Sequence, residues 1–550
     1  MKKIFTIIFI STLFLLTSCK NWLDINVDPN NPTVLQMDKI LPGVYFDIAS
    51  DMSLAYDNLG YVSAVYVHQL TTRESIDQYG VVGSDYAITT FWSDLYSGPL
   101  QDLKTLISMA EDPEAPSYGY AGIGKVLQVY IYSQMVDLWG NIPYSEANVV
   151  NNFSPVFDPQ KDIYSALLGT LDDAISDLQN TAESTNTPGS DDLIYGGDLD
   201  MWVKAAKSLK LKLYDQIQST DLYSQSEVNS LLADDLIGDG ENFWVPFGTS
   251  AAPDNRNPAF VLEYSGSQIS NYISPWFYEI MKGENANIFK GIEDPRIPYY
   301  FAEQLDADNP TPEANTEYQN GYFVSIYFGS VGQNRDHGGR RTFTMMGLYP
   351  CGGAYNDDPT LDRSKPFGIT AGTGAAPYRM ITAADVLYIK AELALSGKYA
   401  DGDARALLEE AMNASFQLVD DVVTADQAKN VPALVGTDAV TTYISGVLDE
   451  YDAASAAKKL EIIMTQKWIS RFGTSIDSYT DYRRTGYPVI FDPNTMKDVA
   501  NGGPDGNGPV PVQSSKGYPV SLPYSADELS LNRNAPVQKT ITQDKIFWDN

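Results

Sequence analysis

Asp137-Leu-Trp-Gly-Asn-Ile-Pro-Tyr144 ends one helical pattern, and Phe157-Asp-Pro-Gln160 opens the next. Upstream, Ile123, Leu127, Tyr130, Ile131, Met135 and Leu138 recur at three- and four-residue intervals, the period of one buried helix face. Gly140, Asn141 and Pro143 then supply helix stop signals. Downstream, Asp158 is placed to cap a new helix and Pro159 suits its first turn. Ile163, Leu167, Leu171, Ile175 and Leu178 mark the buried face that follows. Neither helix can bury its stripe alone, so the stretch predicts a helix, a long loop and a helix inside a larger stack.

The same residues, with Ser145-Glu-Ala and Pro155-Val-Phe-Asp-Pro-Gln-Lys-Asp-Ile-Tyr164, resemble the signature of the SusD/RagB family of outer-membrane nutrient-binding lipoproteins, in its SusD-like second branch. Further segments resemble family helices: Trp202 to Leu213, Leu387 to Leu395, and Gln466-Lys467-Trp468 followed by Asp481 to Pro488. Tyr518 to Asn532 looks like the family's closing segment. Lys207 and Lys212 stand where the family's usual Asn and Arg are expected, so contacts there are expected to differ. The resemblance implies a mainly α fold, with tetratricopeptide-like antiparallel helix pairs and a large irregular loop-rich insertion. No internal 34-residue consensus is visible, so periodicity by itself supplies only helices.

Around that centre the chain divides by composition. Lys2 and Lys3, the apolar run Ile4 to Leu16 and Leu16-Thr-Ser-Cys19 read as a lipoprotein signal peptide over 1–18. The run has 13 residues, short of the roughly 20 that span a bilayer. Cleavage before Cys19 and its acylation, palmitate included, are therefore expected, with 19–34 a tether that holds the chain to a membrane without crossing it.

Residues 35–240 read as the helical-repeat part, in which Ile40, Val44, Ile48, Met52 and Leu59 predict one helix reaching His68 and starting irregularly near Pro42. A second buried face runs from Phe91 to Ile107 across Pro99, and Trp92 on it reads as core. His68, beside Val67 and Leu70, reads as a hydrogen-bonded core residue. Residues 241–380 are rich in Gly, Pro, Asn and aromatic residues and read as the loop-rich ligand-binding part. Helical periodicity returns over 381–475, and 476–550 reads as an irregular C-terminal segment packed on the helices.

A formal charge of −34 argues against phosphate-backbone binding, which needs basic clusters. Acidity of this kind first means a solvated surface. Acidic loops such as Asn356-Asp-Asp358 and Asn501-Gly-Gly-Pro-Asp-Gly-Asn507 leave a structural calcium open, although neither has EF-hand spacing; no other cofactor is expected. With Cys19 in the leader, Cys351 has no internal partner and reads as a small buried hydrophobe.

No nucleophile elbow, His-Glu-x-x-His or phosphate-binding loop is present, and the two histidines lie far apart, so no catalytic residues are assigned. With 71 acidic residues, a glycosidase pair remains a possible reading that nothing in the sequence favours. The resemblance implies capture of oligosaccharides, or in some members oligopeptides, and delivery to a SusC-like TonB-dependent transporter. A non-binding transporter lid or scaffold is the third reading. Sugar capture needs flat rings for C–H faces and polar groups for hydroxyls, and 36 tyrosines supply amphipathic rings. The contact candidates, all in loop-like sequence, are Arg73, Tyr79, Tyr322, Tyr327, Asn334, Arg335, Asp336 and Tyr355.

Overall fold

The computed structural model describes residues 36–180, 182–266, 268–314, 316–330, 341–492 and 516–549. Cys19, Asn334, Arg335, Asp336 and the glycine-rich stretch 501–507 lie outside them. The chain is mainly helical. The quoted stretch joins the helices Tyr118–Trp139 and Gln160–Leu178, which pack against each other. Pro99–Ala110 lies against the first of these and Leu199–Gln216 against the second. A second set comprises Ala383–Leu395, Ala404–Asp426, Asp438–Asp452 and Ala456–Ser470, again packed on chain neighbours.

The expected single helix from 35 to 68 is two, Met37–Asp51 and Leu59–Tyr66. Pro42 lies inside the first of them, where it forfeits only the bond to the Asp38 carbonyl at the helix start. The break falls at Ser53 to Asn58, where Asn58 Nδ2 donates to the Ser50 carbonyl and Ser53 Oγ, and Asp57 takes φ +67°. Pro99 likewise divides the next face, opening its own helix directly after Gly98.

Asp158 does not cap the helix that follows it. The N-cap is Pro159, without a side-chain bond, and Asn141 Oδ1 accepts from Gln160 N instead. The Asp158 carboxylate reaches back across the strand pair Ile142–Pro143 and Phe157–Asp158 to accept from Tyr144 N, Ser145 N and Ser145 Oγ. It folds the long loop rather than starting the helix.

The described strands form two-stranded antiparallel pairs, and one sits at the neck of the loop-rich part. Phe243–Val245 pairs with Tyr378–Ile381, so the two ends of that part are zipped together. After residue 475 the chain is not irregular throughout, since Ile476–Thr485 and Ala526–Leu531 are helical.

Two devices lock the halves together. The first is ionic and buried. Lys212 pairs with Asp477 at 2.7 Å, Arg471 bridges Asp385 and Asp477 at 2.7 Å each, and Lys467 meets Asp481 at 2.8 Å. Arg484 joins Glu392, Asp215 and Asp481 in the same cluster. These residues tie Leu199–Gln216 to Ala383–Leu395, Ala456–Ser470 and Ile476–Thr485, and Lys212 is one of the departures read from sequence.

The second device is the C-terminal segment, which closes on the end of Tyr118–Trp139. The last carbonyls of a helix lack intrahelical donors. Here Arg483 Nη1 donates to Asp137 O, Leu522 N to Leu138 O and Lys539 Nζ to Trp139 O, each at 2.7 Å. The Arg483 guanidinium also complements the negative end of the helix dipole, while burial and that neighbouring guanidinium lower Lys539 to about 7. Trp548 Nε1 and Tyr164 Oη donate to Asp137 Oδ1.

Candidate functional site

The break at Ser53 to Asn58 matters because it opens one wall of a loop face. The helix Leu59–Tyr66 is buried throughout, and His68 beyond it takes φ +57°. The His68 ring lies between Phe328 and Phe491, with centroids 4.0 and 4.3 Å away, and Nε2 pairs with Tyr79 Oη at 2.9 Å. Burial lowers its pKa, so His68 is a neutral core histidine, as its apolar neighbours imply.

Leu70–Thr71 then pairs antiparallel with Tyr272–Ile273. Asp77, fully buried in the turn Ser75–Gln78, accepts from Thr71 Oγ1 and from Gly329 N, both at 2.9 Å. Ser325 Oγ donates to Ile273 O at 2.6 Å, and Asn271 Nδ2 to Leu54 O at 2.7 Å. Segments 52–58, 70–79, 268–273 and 317–330, distant in sequence, are thereby held in one network. The hairpin Tyr318–Asn320 and Phe323–Ser325 completes it, turning at Gly321 with φ +60°.

The polar rim is built from this network. Arg73 Nη2 donates to Gln268 Oε1 at 3.2 Å. Tyr56, Asp57, Glu74 and Arg73 share one electrostatic neighbourhood. Desolvation, reinforced by Glu74 and Asp85, raises the Asp57 carboxyl to about 6. Tyr327 N and Ser330 Oγ both donate to the Glu317 carboxylate, and the Tyr327 ring stands edge-on to Tyr318 at 5.5 Å. A half-exposed ring beside carboxylates and a guanidinium can hold a sugar's C–H face and its hydroxyls together.

Of the candidates named from sequence, Arg73, Tyr322 and Tyr327 fall on this face, half-buried or, for Tyr322, 39% exposed at the hairpin turn. Tyr79 lies beneath it, 5% exposed and bonded to His68, where it supports the loop. Tyr355 is elsewhere. Its ring packs on Tyr299 at 4.8 Å, beside Asn356 and Asp357, which line a separate cavity of about 930 Å³. Asn334, Arg335 and Asp336 are outside the described residues. Tyr56, Asp57 and Gln268 were not read from sequence; the signal for the first two was the polar run Asp57-Asn58 within an assumed helix. Gln268 carried no local signal, since its partner is 195 positions away.

The family described as SusD-like, starch-binding and associating with outer membrane, matches residues 29–505. No curated protein matches the chain. Among solved structures, a SusD/RagB family protein from Bacteroides thetaiotaomicron superposes with a TM-score of 0.67 at 18% identity, covering 94% of this chain and 99% of that one. A chitin-binding SusD homologue from Flavobacterium johnsoniae gives 0.61 at 20% identity, covering 93% and 98%. An outer-membrane protein from Bacteroides vulgatus, described as putative and probably involved in nutrient binding, gives 0.65 at 18%, covering 94% and 100%. At these identities the likeness is one of fold.

Proposed function

The chain belongs to the SusD-like family of starch-binding proteins associated with the outer membrane, and on that premise we propose that it is a surface lipoprotein that captures oligosaccharides on its loop face and passes them to a SusC-like TonB-dependent transporter. The observation that carries this reading is that Arg73, Gln268 and Tyr327 lie on segments held in one hydrogen-bonded network, with exposed Tyr322 at the turn of the adjoining hairpin. Acylated Cys19 and the 19–34 tether anchor the chain. Among the described residues no helix is long and apolar enough to cross a membrane, which agrees with attachment by lipid. Capture requires no reaction. The Arg73, Tyr322 and Tyr327 side chains bind, and the Asp77 network orients them.

A glycan is favoured over a peptide because the family is described as starch-binding and a similar fold is described as chitin-binding. Calorimetric titration against a panel of neutral oligosaccharides and a mixed peptide pool tests the proposal. Saturable binding to one glycan class, with the glycan recovered intact, is expected. Peptide binding in its place, silence towards both, or release of cleaved product would each contradict it, in favour of the peptide, scaffold and glycosidase readings respectively.

A further inference from the structure

The cavity of about 930 Å³ lies apart from the loop face, sharing none of its rim residues. It opens to the surface and is lined by Pro275–Met281, Ile297–Tyr300, Asp438–Asp452 and the turns at 291–295 and 356–357. Its volume is that of a site for a small ligand. Lys282 is the one cation on its lining, and it is already taken by Glu293 at 2.6 Å. Asp294 is likewise neutralised, by Arg296, behind the wall. Glu303, Asp357 and Asp438 remain on the lining without an ion pair among the described residues. The cavity therefore carries negative charge that the chain does not answer.

A second observation points to a ligand. Tyr278 is only 4% exposed, yet its hydroxyl has no hydrogen-bond partner among the described residues. The ring is fixed by stacking on Phe323 at 3.8 Å, and the hydroxyl feels Glu303, Glu284 and Glu293. On the cavity wall that hydroxyl is free to meet the polar groups of a ligand. Burial lifts the Glu303 carboxyl to about 7 although Lys282 and Arg363 pull it down, a cost that a cation in the cavity would relieve.

We propose that this cavity is a second ligand site, which takes the protonated amine of an amino sugar between Glu303, Asp357 and Asp438, with the Tyr278 hydroxyl on the sugar. The carboxylates are spread round a wide volume, and no group of His, Cys, Asp or Glu among the described residues is arranged to hold a metal ion, so an organic cation suits them better than calcium. No lining residue belongs to a strand, so there is no edge for a peptide backbone to pair with. Ile292, Ile297 and Pro298 add apolar wall for the C–H face of a sugar ring.

The test is calorimetry of the purified full-length protein with the tetramer of glucosamine, and with its N-acetylated counterpart, tetralysine and calcium chloride as comparators. The glucosamine tetramer is expected to bind saturably and the N-acetylated one at least about tenfold more weakly, the size of one hydrogen bond to a charged group. Glu303→Gln and Tyr278→Phe are expected to weaken the tetramer, with Glu183→Gln on a distant exposed loop as the unchanged control. Asp357→Asn, at an exposed position, keeps the test decisive should Glu303→Gln fail to fold. Equal binding of both tetramers, tighter binding of tetralysine, displacement by calcium, or indifference to all three variants would overturn the proposal. Failure of neutral glycans on the loop face is a separate outcome, since they carry no amine.

Discussion

Arg296 and Asp294 show what single residues contribute. Both side chains are fully buried, 2.6 Å apart, with the guanidinium also donating to Ser415 Oγ and lying over Phe416 at 4.8 Å. Removing one member of such a pair leaves a charge in a medium that cannot solvate it. Arg296→Met is expected to lower unfolding stability by about 3–5 kcal/mol, and the double change with Asp294→Asn to restore part of it. Urea unfolding checks this, and a loss below about 1 kcal/mol for the single change would contradict it. On the loop face, Arg73→Ala and Tyr322→Ala are expected to weaken glycan binding by about 1–3 kcal/mol without moving the unfolding midpoint, because neither side chain belongs to the buried core. Calorimetry and a melting curve on the same samples separate the two effects. Little of this was legible from the sequence. Arg296 and Asp294 are neighbours, but what encloses them is 119 to 170 positions away.

At the scale of elements, the stop of Tyr118–Trp139 is the clearest case. Gly140 takes φ +76° and ψ −116°, a conformation closed to side chains with a Cβ. Gly140→Ala is expected to cost about 1–3 kcal/mol and to raise amide exchange at Leu522, whose N–H donates to the Leu138 carbonyl at that helix end. Unchanged exchange there would mean that the C-terminal segment docks independently. The stop was legible because Gly, Asn and Pro act locally. The division of Met37–Asp51 from Leu59–Tyr66 was hidden because hydrophobic spacing continues across the break, while the bonds that make it come from Asn58 and Ser53. Asp158 misled for a related reason: beside a helix start it resembles a cap, but the strand pair turns its carboxylate toward Tyr144 and Ser145.

For the whole molecule, the charge of −34 has a consequence that pH reads directly. Burial raises Asp51, Asp215 and Glu303 to about 7 and Asp57, Asp137 and Asp426 to about 6. In the unfolded chain these groups titrate near about 4. Between roughly pH 5 and 7 the folded state therefore binds more protons, and stability falls as pH rises. Buried His68, neutral when folded, opposes this with a single group. Below about pH 4 the sign reverses, because Asp477 and Asp481, despite burial, are held ionised by Lys212, Lys467 and the arginines beside them. A stability maximum near about pH 5 is expected from urea midpoints across pH 3 to 8, and a rise from pH 5 to 7 would contradict it. The fold class and its loop-rich insertion were legible from periodicity and resemblance; the strand pair that zips the insertion shut was not, because its partners stand some 135 positions apart. Capture on the loop face is tested by hydrogen–deuterium exchange of the protein with and without a saturating neutral glycan. Protection confined to segments 52–58, 70–79, 268–273 and 317–330 is expected, and protection elsewhere with those segments unchanged would place the glycan on another surface.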